Sequence, residues 1–225
     1  MAAKLMSADE AVALINPGDS IAVSGFLGVG TPEGLVDALV RRGTRPLTLI
    51  TNDTAYPDRG AGKLIVSRQV GELLVSHIGT NPETIRQMNA GELPVTLIPQ
   101  GTMIERLRAA GAGLGGVLTP TGIGTRVAEG KRVIEVDGRP YLLETALKPR
   151  FGFVKGAKAD RRGNLVYLKT ARNFNPAVAM AAEVTIAEVD EIVENGDLDP
   201  EVVVTPFVFV NILVPALRLS RLGCR

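Results

Sequence analysis

Between Ile21 and Ala110 the chain alternates short apolar runs with helix openings, a rhythm that leaves few architectures open. Ile21-Ala22-Val23, Leu47-Thr48-Leu49-Ile50, Glu72-Leu73-Leu74-Val75-Ser76 and Val95-Thr96-Leu97-Ile98 have the length of buried strands. Thr31-Pro32 opens a helix reaching about Arg41, Asn81-Pro82-Glu83 opens another, and Thr102 to Ala110 reads as a third. A capped helix at Ser7-Ala8-Asp9-Glu10 runs on through Ile15 and stops at Asn16-Pro17-Gly18-Asp19. Strands alternating with helices predict a largely parallel, helix-covered sheet.

The second half changes character. Arg132 to Val136, the pair Asp137-Gly138, and Arg139 to Glu144 form a hairpin signal, because Asp-Gly supplies the positive φ angles of a tight turn. Phe151 to Ala159, turning at Asp160 to Gly163, reads as a second hairpin. Antiparallel strands are therefore expected to extend or flank the sheet. Asn175-Pro176 to Ala182 is a helix candidate and Val184 to Ala187 a further strand. The expected fold class is α/β, as one domain over residues 1–225 with no interdomain linker or repeat.

A chain of 225 residues can bury a substantial core, about 70–75% of its unfolded surface by the usual scaling. Its 25 basic and 24 acidic residues leave a net charge of +1 with no block of like charge. Neither a nucleic-acid nor an anionic-membrane footprint is present. Cys224 is the single cysteine, so one chain can build neither a disulfide nor a thiolate metal cluster, and a reducing cytoplasm is expected. The start, Met1 to Ser7, lacks a signal-peptide pattern. Val202 to Leu217 is apolar but broken by Pro206, Asn211 and Pro215, and is too short to span a bilayer. It reads as a core strand followed by a tail.

In open parallel sheets ligands bind at the carboxyl ends of strands. The segment leaving the first strand is Val23-Ser24-Gly25-Phe26-Leu27-Gly28-Val29-Gly30-Thr31, whose glycines let backbone N–H groups approach an anionic or carbonyl ligand. The same glycines would equally serve a tight strand-to-helix turn. A dinucleotide fingerprint is excluded by their order. Gly111, Gly113 and Gly116 do match G-x-G-x-x-G, but they follow a helix where the motif requires a strand. Gln100 ends an apolar strand with an uncharged amide, suited either to holding a developing oxyanion or to capping the next helix.

Five segments together narrow the choice: the glycine loop, Ser76-His77-Ile78-Gly79-Thr80-Asn81-Pro82-Glu83, Pro99-Gln100-Gly101-Thr102, Gly111 to Gly116 with Thr119 to Thr125, and Ala171-Arg172-Asn173-Phe174-Asn175-Pro176. In that order they resemble the alpha subunits of bacterial acetate (acetoacetate) CoA-transferases, members of the family I CoA-transferases, up to about residue 206. Two departures stand out: Ser24 where the family often has glycine, and a tail from Phe207 to Arg225 unlike the family's.

The resemblance implies a CoA-transferase (NagB/RpiA-like) fold and a cytoplasmic enzyme moving CoA between a short-chain acyl-CoA and a free short-chain or 3-oxo acid. It implies a ping-pong cycle through acyl-glutamyl anhydride and glutamyl-CoA thioester. A carboxylate nucleophile keeps the thioester's activation energy, so no ATP is needed. In the family that glutamate lies in a Ser-Glu-Asn-Gly motif of a beta subunit, within a heterotetramer of two alpha and two beta chains. Here Val193-Glu194-Asn195-Gly196 only approximates the motif, and Glu194 is read as an acidic turn residue. By the same resemblance Gln100 helps form the oxyanion hole, while Ser24, Gly25, Phe26, Leu27, Gly28, Val29 and Gly30 lie at the acyl-CoA site. No metal is implied. His77, the one histidine, is expected to be a structural, hydrogen-bonded residue. Asp53 and Arg172 receive no role. Two other readings remain: a sugar-phosphate isomerase-like enzyme, which needs its own acid or base in the cleft, and a non-catalytic effector-binding module.

Overall fold

The computed structural model describes residues 2–216. Its main sheet contains β1 (Lys4–Leu5), β2 (Ser20–Val23), β3 (Leu47–Asp53), β4 (Val70–His77), β5 (Val95–Leu97), β9 (Phe151–Asp160), β10 (Leu165–Val166), β11 (Val184–Val193) and β12 (Ile212–Pro215). The order across it is β1-β12-β11-β9-β2-β3-β4-β5, with β10 off this path beside β9. Every neighbouring pair along the path is parallel, whereas β10 returns antiparallel to β9. From β2 the chain builds outward through β3 and β4 to β5; from β9 it builds the opposite way. The β2/β9 boundary is thus a topological switch point, where loops leaving adjacent strands diverge and open a crevice.

Alternation along each strand divides the interior in two. Ile21, Val23, Leu49, Leu73, Val75 and Phe153 point to the face packed by helices α1 (Ala8–Val12), α2 (Glu33–Arg42) and α3 (Gly62–Val66). Ala22, Ile50, Val154 and Ala187 point to the other, covered by α5 (Gln100–Gly111) and α6 (Asn175–Ala181). Two buried faces explain the near-continuous apolar strands. Helix α4 (Pro82–Asn89) is capped by Asn81, whose side chain accepts the N–H groups of Glu83 and Thr84.

Helix α2 begins differently. Pro32 offers no capping side chain, and the Glu188 carboxylate of β11 accepts the Leu35 N–H at 2.9 Å. Gly34 leaves room for it: a Cβ there would stand 2.8 Å from Oε2 of Glu188. Negative charge at a helix N-terminus is favourable, and Lys155 Nζ balances the buried carboxylate at 3.0 Å.

A separate antiparallel sheet holds β6 (Gly116–Thr119), β8 (Arg139–Thr145) and β7 (Val133–Val136) in that order. The expected turn is present, with φ of 51° at Asp137 and 71° at Gly138. Arg106 of α5 anchors this sheet by donating to the Thr145 carbonyl at 2.6 Å, and buried Glu144 lies between Arg106 and Lys131.

Several expectations need correction. Phe151–Asp160 does turn back into β10, but β9 is chiefly a central strand parallel to β2 and β11. Its unbroken burial from Phe151 to Val154 is the signature of that position. The Val184 strand runs on to Val193, and the first helix ends at Val12. Helix α3 and strands β1 and β6 were not anticipated. In the described part of Val202 to Leu217, which ends at Ala216, only Ile212–Pro215 is strand; short 3₁₀ turns cover Pro200–Val202 and Phe207–Phe209. Leu217, Cys224 and the rest of the tail lie outside the described residues. Among the described residues no helix is long and apolar enough to cross a membrane.

Candidate active site

The glycine loop leaves β2 at the switch point. Phe26 and Val29 exchange backbone hydrogen bonds of 2.9 and 2.8 Å, which closes a two-residue turn over Leu27 (φ 50°) and Gly28 (φ 91°). Gly25 admits the close return of the chain, since a Cβ there would lie 2.0 Å from the Thr31 hydroxyl. Thr31 in turn donates to the Ser24 carbonyl at 3.1 Å. With these bonds made, the N–H groups of Gly28 and Gly30 have no hydrogen-bond partner among the described residues. Phe26 and Val29 are about half exposed, at 54% and 50%.

Beneath the loop, Asn175 uses its whole hydrogen-bonding capacity. Its Oδ1 accepts from the Ser24 hydroxyl at 2.6 Å and the Lys155 N–H at 2.7 Å. Its Nδ2 donates to the carbonyls of Gly30 at 2.9 Å and Ala171 at 2.8 Å. Asn173 adds a bond from Nδ2 to the Val29 carbonyl at 2.9 Å. Ser24 is therefore buried with its hydroxyl turned into the protein. The sequence showed Asn175 only as a helix opener before proline. Two of its four partners, Ser24 and Gly30, lie more than 140 positions away, a relation no local pattern reports.

Asp53, unassigned from the sequence, is buried at the end of β3. It accepts the Leu27 N–H at 3.2 Å, the Ala55 N–H at 2.8 Å and the Asn52 amide at 2.6 Å. A second turn follows it, closed by a Tyr56 to Arg59 bridge that mirrors the Phe26 to Val29 one. Along the carboxyl edge of the sheet the sites thus run in order: glycine loop after β2, Asp53 at β3, His77 at β4, Gln100 after β5.

Gln100 is the first residue of α5, exposed, and its side chain makes no hydrogen bond among the described residues. The N-cap is Pro99, without a side-chain cap, so Gln100 does not cap the helix. The glycine loop and Gln100 leave strands three places apart in the sheet, and no hydrogen bond joins them among the described residues. His77 departs from expectation, since its side chain is exposed and unbonded among the described residues. Arg172 is exposed at the end of a 3₁₀ turn beside Asn173. Glu194 lies in an exposed turn, ion-paired with Arg161 at 2.6 Å, as an acidic turn residue would. The Gly111 to Gly116 match leads from α5 into β6, a helix-to-strand connection.

A surface pocket of about 530 Å³ lies behind the turn, between Leu27, Gly28 and Val29 and the side chains of Glu33, Asp37, Asp58, Arg59 and Lys63. Both cations are already paired: Lys63 with Glu33 and Asp37, each at 2.6 Å, and Arg59 with Asp58 at 3.4 Å. Burial opposes the Lys63 charge, but the bonds to Asp37 and Glu33 outweigh it and hold its pKa above the ordinary value. Three carboxylates against two committed cations make a poor seat for phosphates. Among the described residues no group of His, Cys, Asp and Glu could hold a metal ion.

An open parallel sheet with a switch point between β2 and β9 defines an α/β domain of the class whose ligands bind at the carboxyl ends of the strands. The coenzyme A transferase family model matches residues 5–216, and the chain belongs to that family. It is 50% identical over 214 residues to the acetate CoA-transferase subunit alpha of Escherichia coli K12, covering 95% of this chain and 97% of that relative. It is 44% identical over 214 residues to the acetoacetyl-CoA:acetate/butyrate CoA transferase alpha subunit of Clostridium acetobutylicum, covering 95% and 98%. Among solved structures it resembles the acyl-CoA transferase YdiF apoenzyme of Escherichia coli O157:H7, with a TM-score of 0.83 at 22% identity. That match covers 95% of this chain and 47% of YdiF, so this chain spans about half of that protein. The likeness to YdiF is one of fold.

Proposed function

We propose that residues 1–225 act as one domain, the alpha subunit of a heteromeric CoA-transferase that exchanges CoA between acetyl-CoA and a short-chain or 3-oxo acid such as butyrate or acetoacetate. The observation that carries this reading is the state of the carboxylates beside the loops of β2 to β5. Glu33 and Asp58 are ion-paired, Glu83 is paired with Arg86, and Asp53 is bonded to backbone. A nucleophile must be free to attack, and these four carboxylates are all committed to partners. The glutamate then belongs to a beta subunit, docked where Phe26, Val29, Tyr56 and Leu97 expose apolar surface.

In this reading the partner's carboxylate attacks the thioester carbonyl and CoA thiolate leaves. The thiolate then attacks the resulting anhydride, releases the first acid, and forms the glutamyl thioester. The steps run backwards with the second acid. This chain supplies neither nucleophile nor proton. It supplies uncharged donors: the N–H groups of Gly28 and Gly30, held in place by the turn, and the Gln100 amide. CoA is the substrate, and no metal is called for. The purified chain alone should exchange no CoA between acetyl-CoA and acetoacetate, and adding its beta subunit should restore turnover. Robust exchange by this chain alone would refute the split site.

A further inference from the structure

We infer that Asp53 is a positioning residue for the transferase reaction, setting the glycine turn through the main chain of Leu27. The inference rests on the assignment of the Phe26–Gly30 backbone to the acyl-CoA site. Asp53 is 4% exposed, and among the described residues no cation pairs with it. Burying a carboxylate without an ion pair is costly unless hydrogen bonds compensate, and here every compensating donor is neutral: the N–H groups of Leu27 and Ala55 and the amide of Asn52.

Those two N–H groups belong to unusual residues. Leu27 has φ 50° and Ala55 φ 45°, both non-glycine residues in the left-handed region. Such conformations persist where the surroundings hold them, and they concentrate at functional sites. One buried carboxylate therefore secures both turns of the edge. Asp160 offers a contrast, because its oxygens bind N–H groups only two to four residues ahead and shape their own turn. Asp53 instead reaches a residue 26 positions back, on the neighbouring loop. By taking the Leu27 N–H it fixes the turn tip and leaves those of Gly28 and Gly30 to face a ligand. Negative charge is not what the contact needs; an acceptor at that spot is.

The test is steady-state kinetics on Asp53→Ala and Asp53→Asn alpha subunits, each assembled with wild-type beta subunit, with thermal unfolding on the same samples. A displaced turn should cost Asp53→Ala about 10–100-fold in kcat, with the KM for acetyl-CoA changed by less than about threefold because the ground-state carbonyl gains less from these donors. The Asn52 amide loses its carboxylate partner in Asp53→Asn, but the new amide oxygen still accepts from Leu27 and Ala55. That variant should stay within about threefold of wild type in kcat. If Asp53→Ala does not assemble, Asp53→Asn decides alone. The inference falls if an assembled Asp53→Ala enzyme turns over normally and only melts earlier, or if Asp53→Asn is as slow as Asp53→Ala. Normal turnover by Asp53→Ala in an enzyme that Gly28→Val slows overturns Asp53 alone. A wild-type assembly without exchange activity, or a Gly28→Val enzyme at full rate, overturns the site reading and this role with it.

Discussion

Replacing Gln100 with alanine separates catalysis from stability unusually well in this protein, because the structure leaves the side chain nothing to hold. It is exposed at the first position of α5, and the cap position is occupied by Pro99. A capping side chain would forfeit about 0.5–2 kcal/mol on truncation. An exposed, unbonded one should stay within about 0.5 kcal/mol, which for a chain of this size moves Tm by only about 1–2 °C. If the amide donates to the thioester oxygen as it becomes an oxyanion, its loss should lower kcat by about 10²–10³, or roughly 3–4 kcal/mol. KM should change little, since the contact strengthens mainly in the transition state. Gln100→Glu should be at least as slow, because a carboxylate opposes the developing charge. The assay is CoA exchange by the assembled enzyme, with unfolding followed in the same preparations. A near-normal kcat in Gln100→Ala would refute the oxyanion role. So would a lowered Tm accompanying the whole loss of activity.

Three further outcomes are expected. Gly28→Val places a β-branched residue at φ 91° in the turn, and should reduce turnover while leaving subunit association intact; full activity would make the loop a turn and nothing more. Glu194→Ala removes an exposed ion pair with Arg161 and should change stability by no more than about 1 kcal/mol and turnover not at all; loss of exchange would place the nucleophile on this chain. Burial holds the Tyr167 hydroxyl up at about 12 from its ordinary 10.0, against the opposing bond to Thr205. A folded pKa above the unfolded one gives stability that is full below pH 10.0 and lost as pH rises through about 12. Tyr167→Phe should therefore lose less stability than wild type between those limits, and equal losses would show that the group does not titrate on unfolding.

The sheet half from β2 to β5 was legible in the sequence because its strands and helix openings are local signals: short apolar runs, Thr31-Pro32, Asn81-Pro82, although Thr31 turns its hydroxyl to the Ser24 carbonyl and does not cap α2. The β7/β8 hairpin was legible through Asp137-Gly138. The other half was harder, since Phe151–Asp160 reads as a hairpin arm until its parallel partners, β2 and β11, are known. Helix α3, five residues in a glycine-rich stretch, has too little periodicity to register. At the site the glycine loop and Gln100 could be singled out by residue type. Asp53 and Asn175 could not be assigned, because what distinguishes them is which backbone groups they meet across the fold. His77 was misjudged for the same reason: a lone histidine looks alike in sequence whether its ring is bonded or free.

Gly34 and Glu188 tie two distant positions of this gene to one another. A glycine inside a helix costs about 1 kcal/mol relative to alanine, so a random drift to alanine at position 34 would be expected to help. Here the new methyl would stand 2.8 Å from the Glu188 carboxylate that caps α2, displacing it from Leu35 and disturbing its pairing with Lys155. The first step of any such drift is uphill unless Glu188 has already been shortened, and shortening Glu188 first leaves Lys155 with only the exposed carboxylate of Asp190. The two sites should therefore be mutually epistatic: each single change is destabilising in the background of the other's present residue, and a double-mutant cycle should return a coupling well away from zero. Libraries that diversify this helix one position at a time would find Gly34 fixed, and would miss the substitutions that become open to it once position 188 is varied alongside.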